Sequence, residues 1–111
     1  MAWNKIGNSN ELKPDEVKEY DIDGKKILVS NMDNQLYAID ALCSHMGQDL
    51  GKGKRNNDII ICPKHHAQFN VKNGKVEKNI NAIFKMITRK DASDLNSYEI
   101  KIENNEIMIN L

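Results

Sequence analysis

Cysteine is nearly missing from this chain, with only Cys43 and Cys62 among 111 residues. Proline is as scarce, at Pro14 and Pro63 alone, and no Pro-rich or low-complexity linker divides the sequence. No internal repeat is visible. Long hydrophobic runs are lacking too. The longest purely apolar stretch is Ile59-Ile60-Ile61-Cys62, far short of the roughly 18 residues that would suggest a membrane-spanning helix. Met1 to Ile6 has no apolar run after its lysine and does not read as a signal peptide. Charge of one sign is also wanting. Sixteen basic and sixteen acidic residues, spread along the chain, cancel to a formal net charge of zero, so no nucleic-acid partner is expected. These absences predict one domain spanning 1–111, soluble and cytoplasmic, with no membrane contact.

What little cysteine there is lies beside all the histidine. Cys43-Ser44-His45-Met46-Gly47 comes first, and Cys62-Pro63-Lys64-His65-His66-Ala67-Gln68-Phe69 follows, with 16 residues between His45 and Cys62. All five Cys and His residues fall within 24 positions, which packing alone does not require. A loop can aim a thiolate and an imidazole two or three residues apart at one point, and two such loops supply four ligands. Sulfur and imidazole donors exclude Mg²⁺ and Ca²⁺ and leave zinc, an iron–sulfur cluster or copper. One tetrahedral Zn²⁺ accepts Cys₂His₂. A [2Fe–2S] cluster accepts the same set when two histidines replace two cysteines on one iron.

The residues around the ligands favour the second reading. Cys43-x-His45-x-Gly47 and Cys62-Pro63-x-His65-x-Ala67-x-Phe69 resemble the two ligand loops of the Rieske [2Fe–2S] family. The resemblance extends to the flanking strand patterns over about residues 3–76 and the last strands. Zinc ribbons carry tighter Cys-x-x-Cys pairs. The resemblance implies one [2Fe–2S] cluster per chain, with Cys43 and Cys62 on the inner iron and His45 and His65 on the iron near the surface. Both cysteines are then ligands, and no intrachain disulfide remains.

Period-two patterning predominates and predicts strands. They are expected at Trp3–Ile6, Val17–Ile22, Lys25–Ser30, Gln35–Asp40, Ile59–Ile61, Ala67–Val71 with Lys75–Glu77, and Ser97–Glu103 with Glu106–Leu111. Turns are expected at Asp23-Gly24, Asp33-Asn34, Asn73-Gly74 and Asn104-Asn105. Leu12 to Glu16 has room for one helical turn, and Gly51 to Asp58 reads as a basic, turn-rich loop. The expected fold is all-β: an antiparallel sandwich or partly open barrel with a small cluster-binding subdomain at about 41–70. Lys78–Asp94 departs from the family. It lacks the proline-containing loop common there, and Ile80, Ile83, Phe84 and Ile87 have helical spacing, so strand and short helix both remain open.

Two histidine ligands in place of thiolates make the cluster less negative and raise its potential relative to an all-cysteine cluster. High-potential members of the family carry an added cysteine in each loop, where this chain has Gln48 and Lys64. They also carry a serine and a tyrosine that donate hydrogen bonds toward the cluster, where this chain has Ala67 and Phe69. The resemblance therefore implies a potential low in the Rieske range, on the order of −150 to 0 mV. His66 stands where many relatives have glycine. It reads as an exposed residue tolerated in that backbone conformation, or as a group tuning potential or docking; a third reading, His66 as ligand in place of His65, is disfavoured by the Cys-x-x-His spacing. Lys52, Lys54, Arg55 and Lys64 flank the same end; they read first as solvated surface and, if the ligand loops face a partner, as a basic rim toward an acidic protein.

The expected role is an electron carrier that passes single electrons from a reductase to an oxygenase or other acceptor, with no catalytic residue of its own. An alternative is the small Rieske subunit of a larger reductase complex resembling nitrite reductase. A structural zinc module is the third reading. No second domain is visible that could hold the mononuclear iron of a Rieske oxygenase.

Overall fold

The computed structural model describes residues 3–43, 49–63, 66–78 and 93–111. Eleven strands are found among them: β1 Trp3–Asn8, β2 Val17–Ile22, β3 Lys25–Met32, β4 Gln35–Asp40, β5 Lys54–Asn56, β6 Ile59–Ile61, β7 Gln68–Asn70, β8 Val76–Lys78, β9 Ser97–Tyr98, β10 Ile100–Glu103 and β11 Glu106–Asn110. They form three sheets, ordered β1-β11-β10, β2-β3-β4-β9 and β5-β6-β7-β8. Every pairing is antiparallel. Among the described residues no α-helix occurs, as the all-β expectation requires.

Three hairpins turn where the sequence places Asp23-Gly24, Asp33-Asn34 and Asn104-Asn105, and both central residues of each have positive φ. That geometry matches the right-handed twist of the flanking strands, and Gly, Asn and Asp adopt it at least cost.

The middle sheet carries a core on each side. On β3, Ile27 and Val29 pack with Leu12, Ala38, Ile107 and Ile109, which joins the sheet to β11. Leu28 and Met32 face the other way, toward Ile39, Leu50, Ile60, Phe69 and Val71. Neighbouring strand residues point to opposite faces. The unbroken Ile27-Leu28-Val29 run is thus the mark of a strand buried on both sides, each such side chain contributing roughly 1.5–3 kcal/mol. The second core lies beneath the third sheet and contains both cysteines.

Three local expectations are corrected. The helical turn falls at Ser9–Glu11 as a 3-10 turn and not at Leu12–Glu16. The Glu11 carboxylate accepts the Asn8 N–H at 3.1 Å and fixes the turn early. Pro14 disfavours a helical Lys13, and Asp15 has φ 66°. The basic loop contains a strand, β5, which pairs with β6. The expected strand Ser97–Glu103 is two. Ser97 and Tyr98 pair with β4, then the chain crosses at Glu99 to pair with β11. The segment with the helical stripe, 79–92, lies outside the described residues.

Candidate metal centre

Two strand ends deliver the two cysteines. β4 runs through Ala41 and Leu42 to Cys43, and β6 runs directly into Cys62. Both are thiols, 2% and 0% exposed, and both belong to the core shared by the second and third sheets. His45 and His65 lie outside the described residues, as do Gln48 and Lys64. The four expected ligands therefore divide into two cysteines whose setting is described and two histidines whose setting is not.

Backbone hydrogen bonds close the base of each loop. In the first, the Leu50 N–H donates to the Ala41 carbonyl at 2.8 Å, and Leu42 bridges Asp49. Asp49 then accepts the Gly51 N–H at 2.9 Å and starts the 3-10 turn Leu50–Lys52. In the second, the Cys62 N–H donates to the Ala67 carbonyl at 2.8 Å, and the His66 N–H to the Cys62 carbonyl at 3.1 Å. Such closure restricts the angle at which each cysteine leaves its strand. His66 is exposed with φ 64°, the left-handed conformation in which glycine is the easier residue. Ala67 and Phe69 are both 0% exposed, and neither side chain carries a hydrogen-bond donor.

The strand that feeds Cys43 is braced from the far end of the chain. The Tyr98 hydroxyl donates to an Asp40 carboxylate oxygen at 2.6 Å, and the Asn96 N–H donates to the other at 3.1 Å. Burial, then the bond to Asp40, raises the Tyr98 pKa, while Lys25 sits over its ring at 4.8 Å. Beside the first loop, Glu19 and Asp49 share a hydrogen bond, and desolvation followed by that contact raises the Glu19 carboxyl above its ordinary value.

Sequence reasoning missed Gly53. A Cβ there would lie 1.9 Å from the Ile61 carbonyl oxygen, so the chain approaches the residue before Cys62 more closely than any side chain permits. A glycine between two lysines was the only signal. Arg55 also leaves the expected basic rim. It turns inward, donating to the Asp15 carbonyl at 2.7 Å and pairing with its carboxylate at 3.2 Å. Lys52 and Lys54 stay exposed.

The donors fit a cluster with two sulfur ligands. Two buried cysteines belong to one core, each at the base of a loop closed by backbone hydrogen bonds. Comparison with known proteins agrees. The chain is 27% identical over 111 residues to the ferredoxin component of biphenyl 2,3-dioxygenase from Rhodococcus jostii, covering 100% of this chain and 94% of that one. Its fold matches the ferredoxin of carbazole 1,9a-dioxygenase from Nocardioides aromaticivorans with a TM-score of 0.78 at 23% identity, over 98% and 97% of the two chains. It also matches a chain in a complex of reduced oxygenase and oxidized ferredoxin of carbazole 1,9a-dioxygenase, TM-score 0.76 at 22% identity, over 96% and 91%. The family model described as Rieske [2Fe-2S] domain matches residues 2–88, and the chain belongs to that family.

Proposed function

We propose that this chain is a one-electron carrier, the Rieske-type ferredoxin of an oxygenase system, accepting electrons from a reductase and passing them to an oxygenase. The observation that carries this reading is the match to a dioxygenase ferredoxin component along nearly the full length of both chains. We assign Cys43 and Cys62 to one iron as thiolates and His45 and His65 to the other as neutral imidazoles, within a single domain. A bound [2Fe–2S] cluster supplies the reversible one-electron couple. The chain's own contribution is to bury the two sulfurs, hold their loops by backbone hydrogen bonds and keep water from the inner side. The buried, donor-free Ala67 and Phe69 support a potential low in the Rieske range, roughly −150 to 0 mV. The cytoplasm, where thiols are kept reduced and available as ligands, is the proposed location.

The test is absorption and low-temperature EPR of the purified protein before and after dithionite. A brown protein whose reduced form gives a mixed-ligand cluster signal supports the assignment, and His45→Cys or His65→Cys should shift that signal. A colourless protein holding one zinc would overturn it.

A further inference from the structure

The zero net charge conceals a separation. Between residues 51 and 90 lie ten of the sixteen Lys and Arg residues and only two of the sixteen Asp and Glu. The rest of the chain is correspondingly acidic. Six of those ten basic residues, Lys52, Lys54, Arg55, Lys72, Lys75 and Lys78, fall among the described residues, on the third sheet or in the segments that flank its strands.

Register shows where the basic residues point. Lys54 pairs with Ile61, Ile61 with Gln68, and Gln68 with Lys78. Directly opposed residues share a face, so Lys54, Ile61 and Gln68 form one row across β5-β6-β7, and Lys78, beyond a register shift between β7 and β8, lines the same cavity. Three steps of about 4.8 Å put the two lysines on the order of 14 Å apart. The adjacent row, Arg55-Ile60-Phe69-Val76, turns to the core. The outer row floors a cavity of about 520 Å³ whose lining includes Lys52, Lys54, Cys62, Pro63, His66 and Lys78. No carboxylate lines it among the described residues. Of the other described cations here, Lys75 is exposed but does not line the cavity, and two are engaged elsewhere. Arg55 pairs with Asp15, and Lys72 with Asp33 and Asp58. Lys52 feels Glu19, but Lys54 and Lys78 make no ion pair among the described residues. Two lysines without an ion pair among the described residues thus flank a trough that runs to the loop after Cys62, the thiol itself staying buried beneath it.

We propose that this trough is the docking face for a redox partner and that the partner's matching surface is acidic. The inference rests on the electron-carrier reading and adds the chemistry of the partner. An acidic surface settles between Lys54 and Lys78 and approaches the loop that carries Cys62. Electrostatic attraction of this kind raises association rates by about 10 to 10³ at low salt and fades as salt screens it. A redox encounter needs such steering more than a large interface.

The test uses the reduced, cluster-bearing protein in stopped flow with two oxidants of opposite charge, ferricyanide and hexaamminecobalt(III). Each takes one electron, giving ferrocyanide or cobalt(II) and the oxidised protein. The ferricyanide rate constant should fall by about tenfold or more between 20 and 300 mM ionic strength, and the cobalt rate should rise. Lys54→Glu with Lys78→Glu should reverse both trends. Lys5→Glu with Lys101→Glu makes the same change in net charge on the first sheet and should stay within about twofold of wild type. Cytochrome b5, an acidic haem protein, should behave as ferricyanide does. Cluster-bearing protein whose rates ignore salt, or whose two double variants behave alike, overturns the docking proposal and leaves the carrier reading intact. Protein without a cluster signal overturns the carrier reading itself.

Discussion

Gly53→Ala tests the packing behind the second cysteine. The added methyl would stand 1.9 Å from the Ile61 carbonyl oxygen, 3.1 Å from its carbon and 3.3 Å from the Leu50 carbonyl oxygen. All three obstacles are backbone, so no rotamer relieves them. To reach ordinary contact the two segments must part by more than about 1 Å, and Ile61 is bonded to Cys62. Forcing a group into a filled site costs about 1–3 kcal/mol. For a domain of this size that lowers the melting temperature by roughly 5–20 °C. Displacing Cys62 should also weaken the cluster, because a site about 1 Å too loose loses its geometry. Thermal unfolding of the cluster-bearing protein by circular dichroism gives the first number, and iron retained under chelator challenge gives the second. Gly7→Ala is the control. Its methyl meets only the Glu11 carboxylate, at 2.9 Å, which can swing away with the loss of one capping contact worth about 1 kcal/mol. A Gly53→Ala protein that melts within about 2 °C of wild type and holds its iron equally well would refute the close approach.

Further outcomes follow from the same site. His66→Gly relieves a side chain held at φ 64° and should raise stability by about 0.5–1 kcal/mol in denaturant unfolding, whereas a loss would show that the imidazole holds the turn. Ala67→Ser places a hydroxyl at a fully buried position beside Cys62. One hydrogen bond favouring the reduced form by about 1 kcal/mol raises a one-electron potential by roughly 40 mV, and an unchanged or lower midpoint in a redox titration contradicts this. Glu19→Gln tests the carboxylate pair. The raised folded pKa means that the Glu19 contribution is fully present below its ordinary pKa and is lost as pH rises through the folded value. At pH 7 the variant should therefore be more stable, by about 0.5 kcal/mol, and the gain should shrink toward pH 5. A gain that grows on acidification reverses the sign and defeats the reasoning.

Much of the fold was legible because single residues dictate it. Asp-Gly, Asp-Asn and Asn-Asn pairs tolerate positive φ, so the three hairpins follow from them. Cys43 and Cys62 stood out because so few cysteines exist, and both lie buried in one core. What stayed hidden depends on distant contacts. Lys54-Arg55-Asn56 has no apolar residue to mark a strand, and it becomes one only because β6 offers an edge. Ser97 to Glu103 alternates without interruption, yet it changes sheets at Glu99, since β4 and β11 each need a partner. The charge separation was masked by its own sum.

The third sheet separates two requirements that act on the same strands. Its inner row packs Ile60 and Phe69 into the core that holds both cysteines, and backbone bonds at Ala41–Leu50 and Cys62–Ala67 close the loops whatever the neighbouring side chains are. This is why a chain 23% identical to this one can share its fold at a TM-score of 0.78. Lys54 and Lys78 on the outer face are exposed, so they can change sign without disturbing a buried contact. Exposed substitutions of that kind cost within about 0.5 kcal/mol. Holding a cluster and choosing a partner are therefore set by different residues, one step apart along β5, β6 and β7 and two apart on β8, where the register shifts. A carrier built this way can be redirected to a partner of opposite charge by its outer row alone, with its cluster and its stability unchanged.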